Sequence, residues 1–248
     1  MTENADRQAL RLEDYPHPSL AVDPIVLTVE DNRLCLAIER STNQPRLPGT
    51  FVHQGETLIQ AAHRALENKL GLSDINLRQL HVFDAPGRDP RGWVFSVAHL
   101  ALVRPRSLNS SKVLLLPVDQ LPSMSYDHEE MVQMALTKVR EEYLVHPDPW
   151  DLLDVFTLKE LRELHLAIVG EAELPARDTF RRMMEPQLSP TGEMSTGSVG
   201  KPSRLFTKAS KQALFDAAMS EPKTERSRRI SSSLNITSPR KRDRKSTR

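Results

Sequence analysis

A single cysteine, Cys35, lies in an apolar run; it excludes any intramolecular disulfide and suits a reducing cytoplasm. No apolar stretch approaches the roughly 20 residues of a membrane-spanning helix, so no membrane partner is expected. Met1 to Arg11 is mixed and charged where a signal peptide would carry an apolar stretch. Internal repeats are not evident. His53 and His81 have no cysteine or histidine partners at metal-ligand spacing, which argues against a zinc site. Net charge is almost nil, +1 overall, but it is segregated: residues 221–248 hold ten Lys/Arg against three Asp/Glu. The preceding 220 residues are therefore net acidic.

What is present centres on residues 48–72, from Pro48-Gly49-Thr50-Phe51 through Glu56 to Arg64-Ala65-Leu66-Glu67-Asn68-Lys69-Leu70-Gly71-Leu72. The stretch resembles a Nudix box, G-x5-E-x7-R-E-U-x-E-E-x-G-U with U aliphatic. Anchored on Glu56, the pattern keeps Arg64, Leu66, Gly71 and Leu72 in register. It places Thr50 at the first glycine, Ala65 at the glutamate after the arginine, and Asn68 and Lys69 at the paired glutamates. The resemblance implies that these glutamates would hold magnesium, a hard cation that takes carboxylate and phosphate oxygens and activates the attacking hydroxide. Positions 65, 68 and 69 are three to four residues apart on one helix face, and here they carry a methyl, an amide and an ammonium. A lysine about 5 Å from a dication would be repelled by roughly 6 kcal/mol at an effective dielectric near 20. The expectation is a nucleotide pocket without catalytic residues and without a metal. The plain alternative is an ordinary amphipathic helix with Leu58, Leu66 and Leu70 at helical spacing, punctuated by Pro-Gly and Gly-Leu.

The flanks favour the Nudix reading. Residues 24–29 and 34–39 are β-rich runs joined by Glu30-Asp31-Asn32, a hairpin signal. Residues 77–83, 93–103 and 113–118 are further strands, and a second helix follows Asp127, with Glu129 and Glu130 in its first turn where the helix dipole favours acids. These elements predict an α/β (α+β) mixed-sheet domain over residues 18–145, after an N-terminal extension, residues 1–17.

His146-Pro147-Asp148-Pro149 reads as a hinge within a linker, residues 146–155, because both prolines disfavour continued helix. Thr157 and Glu160 then form a capping box, and apolar residues line one face until Gly170. Pro175 is placed to begin a second helix, Ala176 to Glu185, rich in arginine. Residues 197–206, with two glycines and the basic Lys201 and Arg204, suit a β-hairpin. Two helices, a tight turn and a hairpin spell a winged helix-turn-helix domain over residues 156–208. Arg177, Thr179, Arg181, Arg182, Lys201 and Arg204 are the candidate DNA contacts, basic groups for phosphates and helix side chains for base edges. The alternative for Arg181 and Arg182 is a solvated helix face.

The order of these stretches resembles the Nudix-related transcriptional regulators, the NrtR family, over roughly residues 20–208. Arg88-Asp89-Pro90-Arg91-Gly92, Tyr126-Asp127-His128, Phe156 to Leu161, Phe180-Arg181-Arg182 and Gly200 to Phe206 carry the likeness. It implies a repressor in bacterial NAD metabolism, binding palindromic operator DNA as a homodimer and released by ADP-ribose or a related nucleotide, with no other cofactor. Arg64, Lys69, Arg88, Arg91 and Glu56 are the candidate effector-binding residues; an arginine fork suits phosphate because it donates two hydrogen bonds at once. The rival account places Arg64 and Lys69 in salt bridges with Glu56 or Glu67. Trp93, Phe83 and Phe51 are of a kind more often core than base-stacking and are assigned no role. Residues 209–248 form a basic, serine-rich tail whose composition does not repay ordering and which would add salt-sensitive DNA affinity. An active ADP-ribose pyrophosphatase and a regulator of sugar or pentose genes are the alternative functions.

Overall fold

The computed structural model describes residues 11–41, 44–196 and 202–210. Residues 1–10, 42–43, 197–201 (the expected DNA contact Lys201 among them) and those beyond Ser210 lie outside the described residues.

The alternating and continuous apolar runs form one mixed sheet. Strand β1 (Ser19–Glu30) turns back into β2 (Arg33–Glu39) through Asp31 and Asn32, both at positive φ (49° and 58°), the backbone that a two-residue hairpin turn demands. A short β3 (Thr50–Phe51) pairs with the start of β1. Strands β4 (Arg78–Phe83), β5 (Val94–Val103) and β6 (Val113–Pro117) complete the order β4-β5-β1-β2-β6, in which β5 runs parallel to β1 and the other pairs are antiparallel.

Because β1 is central, both of its faces are buried. Val22 and Val26 pack beneath helix α1 (Leu58–Leu70) with Ala61, Ala62, Leu66 and Leu70. Ile25 and Leu27 pack on the other side beneath helix α2 (His128–Val145) with Met131, Leu136 and Val139. The sheet is thus sandwiched between two helices. Helix α1 is held at both ends: Thr57 and Gln60 form a reciprocal capping box, and Gly71 closes it at φ 67°, a left-handed position that favours glycine.

Beyond α2 lie helix α3 (Leu158–Val169), helix α4 (Arg177–Met184) and a ribbon of β7 (Leu188–Met194) with β8 (Arg204–Lys208). Thr157 and Glu160 form the capping box expected from their spacing. Pro175 does not begin α4; it precedes the N-cap, Ala176. The ribbon starts earlier than the glycine content suggests, at Leu188, because that residue is buried against Phe156, Phe180 and Phe206.

Helix α3 serves two cores. Leu161 joins the small C-terminal core, whereas Ile168 and Val169 join the large core under α2. His165 stands between them, edge-on to Tyr143 of α2 (5.0 Å) and to Phe180 of α4 (4.9 Å). The segment expected as a hinge is fastened from several sides. Asp148, fully buried, accepts from the Tyr143 hydroxyl and the Leu153 amide, each at 2.8 Å. Its carbonyl accepts from Lys208 at 2.7 Å, and Arg78 and Arg104 bond the carbonyls of Pro149 and Asp151. Two prolines break the helix there, but the broken segment does not swing free.

Candidate functional site

A cavity of about 260 Å³ opens where the N-terminal half of β1 meets the Nudix-like loop and the start of α2. Asp23 of β1 lies at its base. The loop before β3 supplies Arg46, Leu47 and Gly49; β3 supplies Thr50 and Phe51; α1 supplies Lys69. The β4–β5 loop adds Arg88, Asp89 and Arg91, and the approach to α2 adds Tyr126 and His128.

Asp23 is buried (5 % exposed) yet fully engaged. Ser96 donates to it at 2.5 Å, Nε2 of His128 lies 3.4 Å from Oδ1, and Arg88 is 4.0 Å away. Burial alone would raise its carboxyl; the His128 and Ser96 hydrogen bonds and the nearby Arg88 charge outweigh that and leave it below the ordinary carboxylate range. Nδ1 of His128 accepts from the Leu47 amide at 3.0 Å, so a neutral ring carries its proton on Nε2, towards Asp23. Arg88 is clamped two-pronged on Asp127, both bonds 2.7 Å. That clamp explains why Asp127, at the N-cap of α2, makes no side-chain cap bond.

Gly49 is the glycine that this site requires. A Cβ there would meet Asp23 Oδ1 at 1.8 Å. Its carbonyl accepts a short hydrogen bond from Lys69 Nζ, which draws the ammonium across the cavity wall. Burial and then the charge of Arg46 lower the Lys69 pKa, against the opposing pull of Glu39 and Asp23. Arg91 is more than half exposed and holds Asp89 at 2.6 Å, which lowers that carboxyl to about 2. Its guanidinium lies 5.1 Å from the Phe51 ring and 5.4 Å from Tyr126. The cavity therefore has four cationic side chains, two carboxylates that already have partners, and two partly exposed aromatic rings. Such a lining suits an anion with an attached planar ring.

Of the candidate effector residues, the structure brings Lys69, Arg88 and Arg91 to this cavity. It does not bring Arg64 or Glu56. Arg64 grips both Glu56 oxygens (2.7 and 2.8 Å), Thr50 Oγ1 (3.2 Å) and the Phe51 carbonyl (2.8 Å), so its fork is spent on the loop. Arg88 lines the wall but its side chain is 5 % exposed and committed to Asp127. Among the former glutamate positions, Ala65 is buried, Asn68 is exposed and only Lys69 lines the cavity. Phe83 is core, but Phe51 and Trp93 are 36 % and 52 % exposed. Asp23, Arg46, Tyr126 and His128 were missed; the only sequence signal was the Tyr126-Asp127-His128 cluster.

Arg177, Thr179, Arg181 and Arg182 are exposed on α4, and Arg204 is exposed at the start of β8. Arg181 pairs with Glu185 at 2.8 Å, and Arg182 bonds the Asp178 carbonyl and Thr179 Oγ1 at 3.4 Å. Among the described residues, no helix is long and apolar enough to cross a membrane.

The sequence pattern of the NUDIX domain matches residues 18–174. The chain belongs to the Nudix family. This Nudix chain is 28% identical over 221 residues, 83% of its length and 88% of the relative's, to the "ADPR responsive transcriptional repressor NtrR" of Acinetobacter baylyi. It is 33% identical over 127 residues, 48% of its length and 73% of the relative's, to an ADP-ribose pyrophosphatase of Methanocaldococcus jannaschii. Among solved structures it is similar to Shewanella oneidensis NrtR complexed with a 27mer DNA, with a TM-score of 0.62 and 26% identity over 79% of this chain and 95% of that one.

Proposed function

We propose that this Nudix chain is a DNA-binding transcriptional repressor of NAD biosynthesis or salvage genes, released from its operator by ADP-ribose or a related nucleotide. The observation that carries the reading is a cation-walled cavity joined, in one chain, to a helix pair with an exposed arginine-rich second helix. The likeness to the DNA-bound S. oneidensis protein over 79% of this chain supports the reading, as does the A. baylyi relative, named for an ADPR response.

In this reading the effector's pyrophosphate lies against Lys69, Arg46 and Arg91, and Phe51 and Tyr126 flank its flat ring. Arg88 and Asp127 fix the wall rather than touch phosphate. The donor set does not fit a divalent cation: Glu56, Asp23, Asp89 and Asp127 each already serve an arginine or histidine, and the Lys69 ammonium stands in the cavity. Charge neutralisation of the ligand then falls to the protein's own cations, and hydrolysis is not expected.

The segment 156–208 acts as a winged helix, with α4 entering the major groove and the β7–β8 ribbon as wing. Arg177, Thr179, Arg182 and Arg204 are exposed and can face DNA; Arg182 need only release its long bonds to the Asp178 carbonyl and Thr179, and Arg181 an exposed i,i+4 pair of the kind that contributes little. Lys201, outside the described residues, is the remaining basic candidate. Two copies on a palindrome would place two such helices about one duplex turn apart, within the cytoplasm. Ligand release requires that ADP-ribose favour an arrangement of the two readers that does not match this spacing.

Fluorescence anisotropy with duplexes drawn from the region upstream of the gene, any palindrome there included, tests the reading. Tight binding, weakened by ADP-ribose, is expected, with no loss of ADP-ribose in magnesium buffer. Unaltered DNA affinity at saturating ADP-ribose, with rapid magnesium-dependent cleavage, would instead make the chain a pyrophosphatase like its M. jannaschii relative.

A further inference from the structure

A second and larger cavity, about 680 Å³, lies away from the nucleotide cavity, in the groove between edge strand β4 and helix α2. Its floor is apolar: Leu80, Leu100, Met134 and the Trp150 ring, one face of which is covered by the Arg78 guanidinium 3.8 Å from its centroid. Its rim carries three glutamates, Glu130, Glu141 and Glu142, against two cations, Arg78 and Lys138. Arg78 and Lys138 both lie 3.7 Å from Glu142, whereas Glu130 and Glu141 have no ion-pair partner among the described residues. Strand β4 pairs only with β5, so among the described residues its outer edge is unpaired, a template for one more extended segment.

The chain itself holds a complementary segment. From Arg226 to Arg242 there is no Asp or Glu, and there are six Lys/Arg. Within it, Arg226, Arg228 and Arg229 precede Ile230, Leu234 and Ile236. The described chain also ends beside the groove. The Ala209 amide donates to Gln187, whose side chain bonds the Val145 carbonyl at the end of α2, and Lys208 bonds the Asp148 carbonyl, two residues from Trp150. The 16 residue-to-residue steps from Ser210 to Arg226 reach up to about 50 Å when extended, ample for that distance.

We propose that residues 226–236 dock in this groove of their own chain, with the isoleucines and leucine on the apolar floor and the arginines over Glu130 and Glu141. Docking withholds those arginines from other anions, so a duplex and the groove compete for one segment. The inference stands on the groove and the tail alone and does not rest on the nucleotide reading.

The chain's two tryptophans allow a direct test, since Trp150 lines the groove and Trp93 lies before the opposite end of β5. In full-length 15N-labelled protein, Ser232→Cys carries a nitroxide, and buried Cys35 is left in place. Selective loss of the Trp150 indole signal is expected, with Trp93 unchanged, and Glu130→Lys with Glu141→Lys should restore it. Equal effects on both indoles, no effect, or broadening that survives the charge reversal would each overturn the proposal. So would broadening in a mixture of labelled unmodified chain and unlabelled nitroxide chain, which would mean docking between copies.

Discussion

Arg64 closes a two-pronged ion pair on Glu56, at 2.7 and 2.8 Å, and ties helix α1 to the loop that precedes it. The pair braces β3 as well, through Thr50 Oγ1 and the Phe51 carbonyl. It shapes the wall behind Lys69 without facing the cavity. The arginine's hydrogen bonds hold the Glu56 carboxyl at about 2, down from its ordinary 4.5. Being depressed, it contributes stability that is fully present above 4.5 and is lost as pH falls towards about 2. Arg64→Ala should return the Glu56 carboxyl close to its ordinary value in a carbon-detected NMR titration and remove that acid dependence. A carboxyl still at about 2 in the variant would assign the shift to another group.

Lys69 supplies the cavity's innermost ammonium. Lys69→Glu should weaken ADP-ribose binding by about 2 kcal/mol, or roughly 30-fold, the worth of a charged hydrogen bond, with added repulsion. Lys69→Met should lose less. Titration calorimetry of both variants measures this, and an unchanged Kd for the glutamate variant would remove Lys69 from the phosphate's surroundings.

The Tyr143 hydroxyl and Asp148 hold the junction between the two cores. Burial first, and the neighbouring carboxylate, keep that hydroxyl protonated far above the ordinary range, so it stays a donor. Tyr143→Phe deletes the donor and should cost about 1 to 2 kcal/mol in urea unfolding. Hydrogen exchange should quicken at Leu153, whose amide bonds the same carboxylate. Unaltered exchange there would show that the Tyr143 bond does not control the segment.

Phe180 is almost fully buried in the C-terminal core and touches His165. Phe180→Ala should cost about 3 to 4 kcal/mol and loosen α4. DNA affinity, followed by anisotropy, should fall sharply, while calorimetry shows ADP-ribose binding within error of the parent chain. Parallel loss of both would mean that the two cores unfold as one.

Much of the fold was legible because its signals are local. The two strands around Asp31-Asn32, the Thr157-to-Glu160 cap and the spacing of Leu66 and Leu70 each act within a few residues. The site was legible in part. Lys69 was visible as an ammonium where the Nudix pattern has a glutamate, and it does line the cavity. Arg64 and Arg88 were equally basic on paper, but their partners decide what they do. Glu56 is eight residues from Arg64, and Asp127 is 39 residues from Arg88. Asp23, between Val22 and Pro24, gave no sign of standing at the base of the cavity. Phe51 and Trp93 carry no mark telling a covered strand end from an open one.

Sequence alone determined the elements, their order, and that positions 65, 68 and 69 carry no carboxylate, since propensity, caps and register act between near neighbours. Tertiary structure decided which charges remain available. An arginine facing a carboxylate 39 residues away is spent; a lysine drawn over the Gly49 carbonyl into a cavity still presents its charge. That difference arises only when β1, α1 and α2 pack, because the proximity of charges distant in the chain is created by burial of the apolar faces between them.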